Sequence, residues 1–408
     1  MKELKVFLSQ PRNTRILLST VAVYALILPV IEVFQAAYIM GKSSEMIRVL
    51  FYQLSVYTSI PFVFLINGFL LRKVRPDLLF ILGMILSGVS MLIMTSLPEL
   101  TNWGLGIAGM LMGVSFGFFW SNRDYLVLVS TNDQNRNYYY GTESFFNTFS
   151  NVVVNTTIGL FIVYFTESFK GLENSRGVAY NIIAYSVLVL SVIASIILSK
   201  GKFGRPKSPK FIYFKFHKLW YSMLKMAVLK GLVQGFIVTA PSLLIFKFIG
   251  NEGALGTVQS VSALITAFLM YFIGRKAKPE HRLLILAFAL ILFVVGAIFN
   301  SVLYNSISVY VFLLCLVIAR PLFDIAYFPI QLKVIDYVAS AEKRNEYTYI
   351  CNHEFGLYVG RLIGCGTFII IAWSISEDTA LVFTLPFVTI LQALSYFISK
   401  KMIKNINS

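Results

Sequence analysis

Runs of roughly 20 apolar residues recur from one end of the chain to the other, separated by short polar breaks, and each is long enough to cross a ~30 Å hydrocarbon core. They fall near residues 15–38, 48–71, 78–97, 104–130, 139–165, 178–198, 221–248, 257–273, 283–302, 309–335, 347–373 and 380–398. A bilayer offers no water to a bare backbone, so the spanning element is the helix. The pattern predicts an all-α integral membrane protein of twelve transmembrane helices.

Composition sharpens this. The 408 residues are 57% hydrophobic and 13% charged, with a mean hydropathy of +0.74, against roughly 45–50% apolar and 25% charged in soluble domains. The basic N-terminus (Lys2, Lys5, Arg12, Arg15) lacks the cleavage features of a signal peptide, so the first apolar run is expected to remain as a span. Both termini and the loops after even-numbered spans hold about 24 Lys and Arg, and the opposite loops about four (Lys42, Arg48, Lys170, Arg176), which predicts cytoplasmic termini in a plasma (inner) membrane. The net charge of +16 then reports topology and attraction to anionic lipids, and no nucleic-acid partner is expected. Cys315, Cys351 and Cys365 lie inside spans without CxxC-type spacing, so no disulfide framework, metal site or cofactor is expected.

The most polar cytoplasmic stretch is at mid-chain. Lys200 to Lys218 holds seven Lys/Arg, Pro206, Pro209 and no acid. It reads as a linker (201–218) between a six-helix bundle at 1–200 and another at 219–408. The halves share features in register: Lys73-Val-Arg-Pro-Asp77 recurs as Lys276-Ala-Lys-Pro-Glu280, and Arg136-Asn137 with its following tyrosines recurs at Arg344-Asn345. Pro29 in span one and Pro241 in span seven sit at similar depths. The offsets run from about 203 to 212 residues, as expected for parallel repeats.

On these features the chain resembles the major facilitator superfamily over essentially its whole length: six plus six spans, a basic central loop, and basic loops after spans two and eight. The resemblance implies two six-helix bundles around a central cavity lined by spans one, four, seven and ten, and transport by alternating access. The family's loop signature, Gly-x-x-x-Asp-Arg-x-Gly-Arg-Arg, is represented by Gly68-Phe-Leu-Leu-Arg72-Lys73-Val-Arg75, without the acid or the second glycine. The Gly-Pro-rich antiporter signature is absent from Gly141 to Gly159, which favours uptake by symport over drug–proton antiport.

Charges at membrane depth are costly unless paired or hydrated, which makes them the candidates for function. Arg320 and Asp324 stand four residues apart around Pro321 on span ten, either as a self-neutralising bridge or as an anchor balanced by its acid when empty. Span eleven carries His353, Glu354, Tyr358 and Arg361. The inner part of span four carries Trp120-Ser-Asn-Arg123-Asp124, and Glu143, Asn147, Asn151 and Asn155 form a polar stripe on span five, with Arg123–Glu143 a candidate inner gate. Span one adds Glu32, and span seven Gln234 and a snorkelling Lys247.

Three embedded arginines (Arg123, Arg320, Arg361) argue for a small anionic substrate, since guanidinium binds carboxylate or phosphate bidentately and keeps its charge. The expected substrate-binding residues are Arg320, Arg361, Asp324, Trp120, Tyr358 and Asn151. Those expected in proton coupling or gating are Glu32, Arg123, Asp124, Glu143, His353 and Glu354. The expected partners are the solute, membrane lipids and protons, with the protein a monomer. A lipid or lipid-linked flippase of the same fold is the alternative within transport, and a non-transporting receptor is an alternative outside it that flux measurements would separate. An integral membrane enzyme has little support, since no HExxH, GxSxG or His–Asp cluster is present.

Overall fold

The computed structural model describes residues 2–43, 45–131, 133–172, 174–204, 212–276, 281–344 and 346–407. Helix α1 (Lys2–Ser9) precedes span one, which is built from α2 (Arg12–Tyr24), a π-helical turn (Val30–Phe34) and α3 (Gln35–Ser43). Spans two to six are α4 (Met46–Leu70), α5 (Pro76–Ser96), α6 (Asn102–Ser130), α7 (Asp133–Ser168) and α8 (Ser175–Ser199). Span seven is α9 (Lys218–Ile237) and α10 (Ala240–Phe248). Spans eight to eleven are α11 (Glu252–Lys276), α12 (Arg282–Leu303), α13 (Ser306–Glu342) and α14 (Glu346–Ser374), and span twelve is α15 (Glu377–Ala393) continued by α16 (Ser395–Asn407). Among the described residues, eleven stretches are long and apolar enough to cross a membrane; span one, divided by its turn, supplies the twelfth. Of the repeated motifs, residues 277–280 and Asn345 lie outside the described residues, as do the side chains of Arg136 and Asn137.

Spans one and seven, each a single apolar run in the sequence, are interrupted. Proline lacks the amide that would close the turn four residues back, so Pro29 cannot donate to Ala25 nor Pro241 to Ile237. The chain tightens instead: Leu26 N–H donates to the Val23 carbonyl, Ile27 to Tyr24, and Thr239 to Phe236. The two breaks fall at the register position shared by the two prolines.

The residues group into two compact units, one of Met1–Ser43, Thr58–Ser208 and Glu252–Ser260, the other of Ser44–Tyr57, Pro209–Asn251 and Val261–Ser408. In the first, Val63, Leu71, Leu79 and Phe118 form an apolar cluster. Small residues set its helix spacing: a Cβ on Gly83 would stand 2.7 Å from the Phe119 amide nitrogen, and Ser115 Oγ donates to the Gly83 carbonyl at 2.7 Å. Tyr24 stacks on Phe119, 4.2 Å between centroids.

The second unit is organised by a seam of glycines between α9 and α14. A Cβ on Gly231 would lie 2.1 Å from the Leu357 carbonyl oxygen, on Gly235 2.6 Å from that of Arg361, on Gly360 2.0 Å from that of Val228, and on Gly364 2.2 Å from that of Leu232. Small residues spaced by four let backbones touch, the way helices associate where burial from water gives no drive. Outward from both units, large apolar side chains such as Tyr164, Phe268, Val302 and Trp373 remain exposed, a surface suited to lipid rather than water.

Candidate functional site

The α9–α14 seam determines what lies beside it. Lys230 and Gln234 precede Gly231 and Gly235 on α9, and Arg361 follows Gly360 on α14, so backbone contact brings polar side chains of the two helices together. Arg361, 9% exposed, is held on three sides. Its Nη1 donates to Glu354 Oε1 at 2.5 Å, its Nε and Nη2 to Gln234 Oε1 at 3.3 and 3.0 Å, and its guanidinium lies 4.8 Å from the Tyr57 ring centroid. Tyr57 OH in turn donates to the Gln234 carbonyl at 3.2 Å. Tyr358, half-buried, sits on the turn between Glu354 and Arg361.

Lys230 is the side chain the sequence reading passed over. It is 5% exposed, its Nζ is 3.0 Å from Asp324 Oδ1, and it lies over the rings of Phe328 (3.8 Å), Tyr327 (4.2 Å) and Phe323 (5.8 Å). Aromatic faces attract a cation, by about 2 kcal/mol or more when desolvated. The signal was a lysine in the middle of an otherwise apolar run, Met226-Ala-Val-Leu-Lys230. His353, also buried, faces the same group from α14, its Nε2 2.8 Å from Tyr327 OH.

The expected balance of Arg320 by Asp324 is not what the structure holds. Asp324 pairs with Lys230, and among the described residues no carboxylate lies within ion-pair distance of the exposed Arg320. A buried ammonium needs a counter-charge more than a hydrated guanidinium does, which explains why the lysine from another helix prevails over the arginine one turn away. Arg320 is nonetheless near enough to act electrostatically on Lys230 and Tyr57. The cluster therefore sets three cations (Lys230, Arg320, Arg361) against two carboxylates, both already engaged.

The first unit has its own charged group. Arg123 on α6 donates through Nε to Glu143 Oε1 at 3.0 Å and through Nη1 to Asp124 Oδ1 at 2.6 Å, with Nη2 against Glu143 Oε2. Its guanidinium carbon lies 5.8 Å from the half-buried Trp120 ring. Glu143 is 5% exposed, so the arginine neutralises an acid with little water. Along the polar stripe, Asn151 Nδ2 donates to the Asn147 carbonyl at 2.9 Å, and Asn155 is buried where Gly256 of α11 approaches its carbonyl. Glu32 is exposed on the π-helical turn.

Further pairs clamp helix ends. Arg176 Nε donates to Glu252 Oε1 at 2.6 Å and Tyr180 OH to the same oxygen at 3.2 Å. Arg75 grips Asp77 through Nε and Nη2, at 3.0 and 2.6 Å. Lys247, expected to snorkel, pairs with Asp378, which also accepts from Tyr304 OH at 2.9 Å. Burial and the neighbouring Glu377 carboxylate push the Tyr304 phenol up to about 12. Among the described residues no group of three or more His, Cys, Asp or Glu could hold a metal ion.

Twelve spans in two units with charge clusters inside them define a multi-pass membrane protein. Residues 16–364 match the Major Facilitator Superfamily, and the chain belongs to that family of secondary transporters. It is 28% identical over 397 residues to the uncharacterized protein YqgE of Bacillus subtilis (strain 168), covering 94% of this chain and 88% of that protein. Among solved structures it resembles the Major Facilitator Superfamily transporter FucP in its outward conformation (TM-score 0.63, 12% identity, 95% of this chain and 98% of that one). It also resembles the nucleoside transporter NupG (TM-score 0.67, 9% identity, 97% and 100%). At such identities the structural likeness speaks for the fold.

Proposed function

We propose that the protein moves a small organic anion across the plasma (inner) membrane by alternating access, coupled to protons, with both termini cytoplasmic. Arg320 is the anchor in this reading. The observation that carries it is the uncompensated charge: Asp324 is committed to Lys230 and Glu354 to Arg361, which leaves the Arg320 guanidinium exposed beside two further cations. A carboxylate or phosphate would complete the cluster by a bidentate contact. Arg361, whose donors are occupied by Glu354 and Gln234, keeps the field positive rather than gripping the solute.

The test is thermal stabilisation of the purified protein by carboxylates, organic phosphates, neutral sugars, cationic drugs and lipids, with Arg320→Ala in parallel. Stabilisation by an anion that vanishes in the variant is the expected result, followed by uptake into proteoliposomes that responds to a pH gradient. Stabilisation by lipids alone, with Arg320→Ala responding as wild type does, would favour the flippase reading and refute this one.

A further inference from the structure

The contact between Lys230 and Asp324 has an effect on Arg320. Residues four apart on a helix lie roughly 6 Å apart along its axis and, when oppositely charged, ordinarily close into a pair. Arg320 and Asp324 have that spacing on α13 and do not close. Lys230 takes Asp324 Oδ1 at 3.0 Å from the adjoining helix, and the aromatic rings that hold Lys230 fix it in place. A positive and a negative group thus remain one helical turn apart, unjoined. Neither is sealed off: Arg320 is exposed, and the Asp324 side chain keeps 35% of its surface while Lys230 keeps 6%.

We infer that this separated pair recognises a zwitterion, a small solute with an ammonium group and a carboxylate or phosphate on one short skeleton. The anionic end docks on Arg320, which rests on the reading of Arg320 as anchor, and the ammonium shares Asp324 with Lys230. A carboxylate has two oxygens and about four lone-pair sites, so Asp324 can accept from Lys230 and from a ligand together. Lys230 acts here as a positioning residue: it prevents the self-neutralisation that would erase the site. The chemistry is common to a free amino acid, a phosphorylated amino alcohol and the headgroup of phosphatidylethanolamine.

The experiment compares four probes by thermal stabilisation and by direct binding: neutral amino acids, soluble glycerophosphoethanolamine, dicarboxylates matched in length, and phosphatidylethanolamine in nanodiscs. The hosts are wild type, Arg320→Ala, Asp324→Glu and the double variant Lys230→Met/Asp324→Asn, which removes both charges so that no ammonium is left buried alone. A soluble zwitterion should bind wild type at least tenfold more tightly than the dicarboxylate. It should lose that advantage in the double variant, keep part of it in Asp324→Glu, and lose binding altogether in Arg320→Ala. If dicarboxylates bind as well as zwitterions and the double variant changes neither, the zwitterion inference is overturned and the anion reading stands. If neither class binds, both fall. Binding of phosphatidylethanolamine without either soluble zwitterion supports the same recognition and assigns its source to a lipid headgroup.

Discussion

Lys230 Nζ sits 3.0 Å from Asp324 Oδ1 and 3.8 Å from the Phe328 ring centroid, a buried ammonium whose nearest carboxylate comes from a different helix. Removing one partner of such a pair strands the other, at about 3–5 kcal/mol, whereas removing both costs far less. Asp324→Asn is therefore expected to lower the thermal midpoint in detergent more than Lys230→Met/Asp324→Asn does. A double variant less stable than the single would show that the pair itself holds the helices together.

The glycine seam makes a sharper prediction. Gly360→Leu would place a Cβ 2.0 Å from the Val228 carbonyl oxygen, where only backbone movement can relieve the clash. Loss of the monodisperse peak in size-exclusion chromatography is expected. Gly366→Ala, on the same helix and with nothing within 4 Å of its Cβ, should be neutral or up to about 1 kcal/mol stabilising, as alanine is the better helix former.

Gly41 touches the end of a flexible side chain instead. A Cβ there would come within 2.6 Å of the Arg176 guanidinium carbon, which can swing aside. Gly41→Ala should thus cost less than Arg176→Ala, which leaves the buried Glu252 carboxylate without its cation and with Tyr180 still donating to it. Thermal midpoints at neutral pH separate the two, and equal losses would mean that Gly41→Ala expels the arginine.

Tyr304 sets a pH window. Its phenol is held up to about 12 in the fold against an ordinary value near 10, by burial first and by Glu377 second. A raised value means that its contribution is full below pH 10 and is lost as pH rises toward 12. Across that range the midpoint of wild type should fall more steeply than that of Tyr304→Phe. Parallel curves would show that the hydroxyl is hydrated.

How much of this could be read from the sequence depends on how local each feature is. The twelve spans were legible because apolar run length is a local property, and so was the membership of the family. The helix breaks were half legible: Pro29 and Pro241 marked matching depths, but an apolar run does not announce where a proline will interrupt it and where it will only bend the helix. Pro321 and Pro329 illustrate the ambiguity, since α13 runs through both. Arg123 and Glu143 could be matched because their spans are consecutive. Lys230 and Asp324 could not, being 94 residues apart on helices whose mutual rotation no spacing rule supplies. The glycines that fix that rotation were in view as Gly231-x-x-x-Gly235 and Gly356-x-x-x-Gly360-x-x-x-Gly364, and their significance emerges only when the two series are laid against each other.

That seam also constrains how the molecule can vary. Each residue of an α-helix advances the side chains by about 100°, so a single insertion or deletion within α9 or α14 would turn Lys230, Gln234, Glu354 and Arg361 away from one another while leaving both helices apolar enough to enter the membrane. The glycines act as a reading frame for the polar residues beside them: substitutions between the teeth can be absorbed, but a frameshift along the helix would leave a well-inserted protein with its charges dispersed.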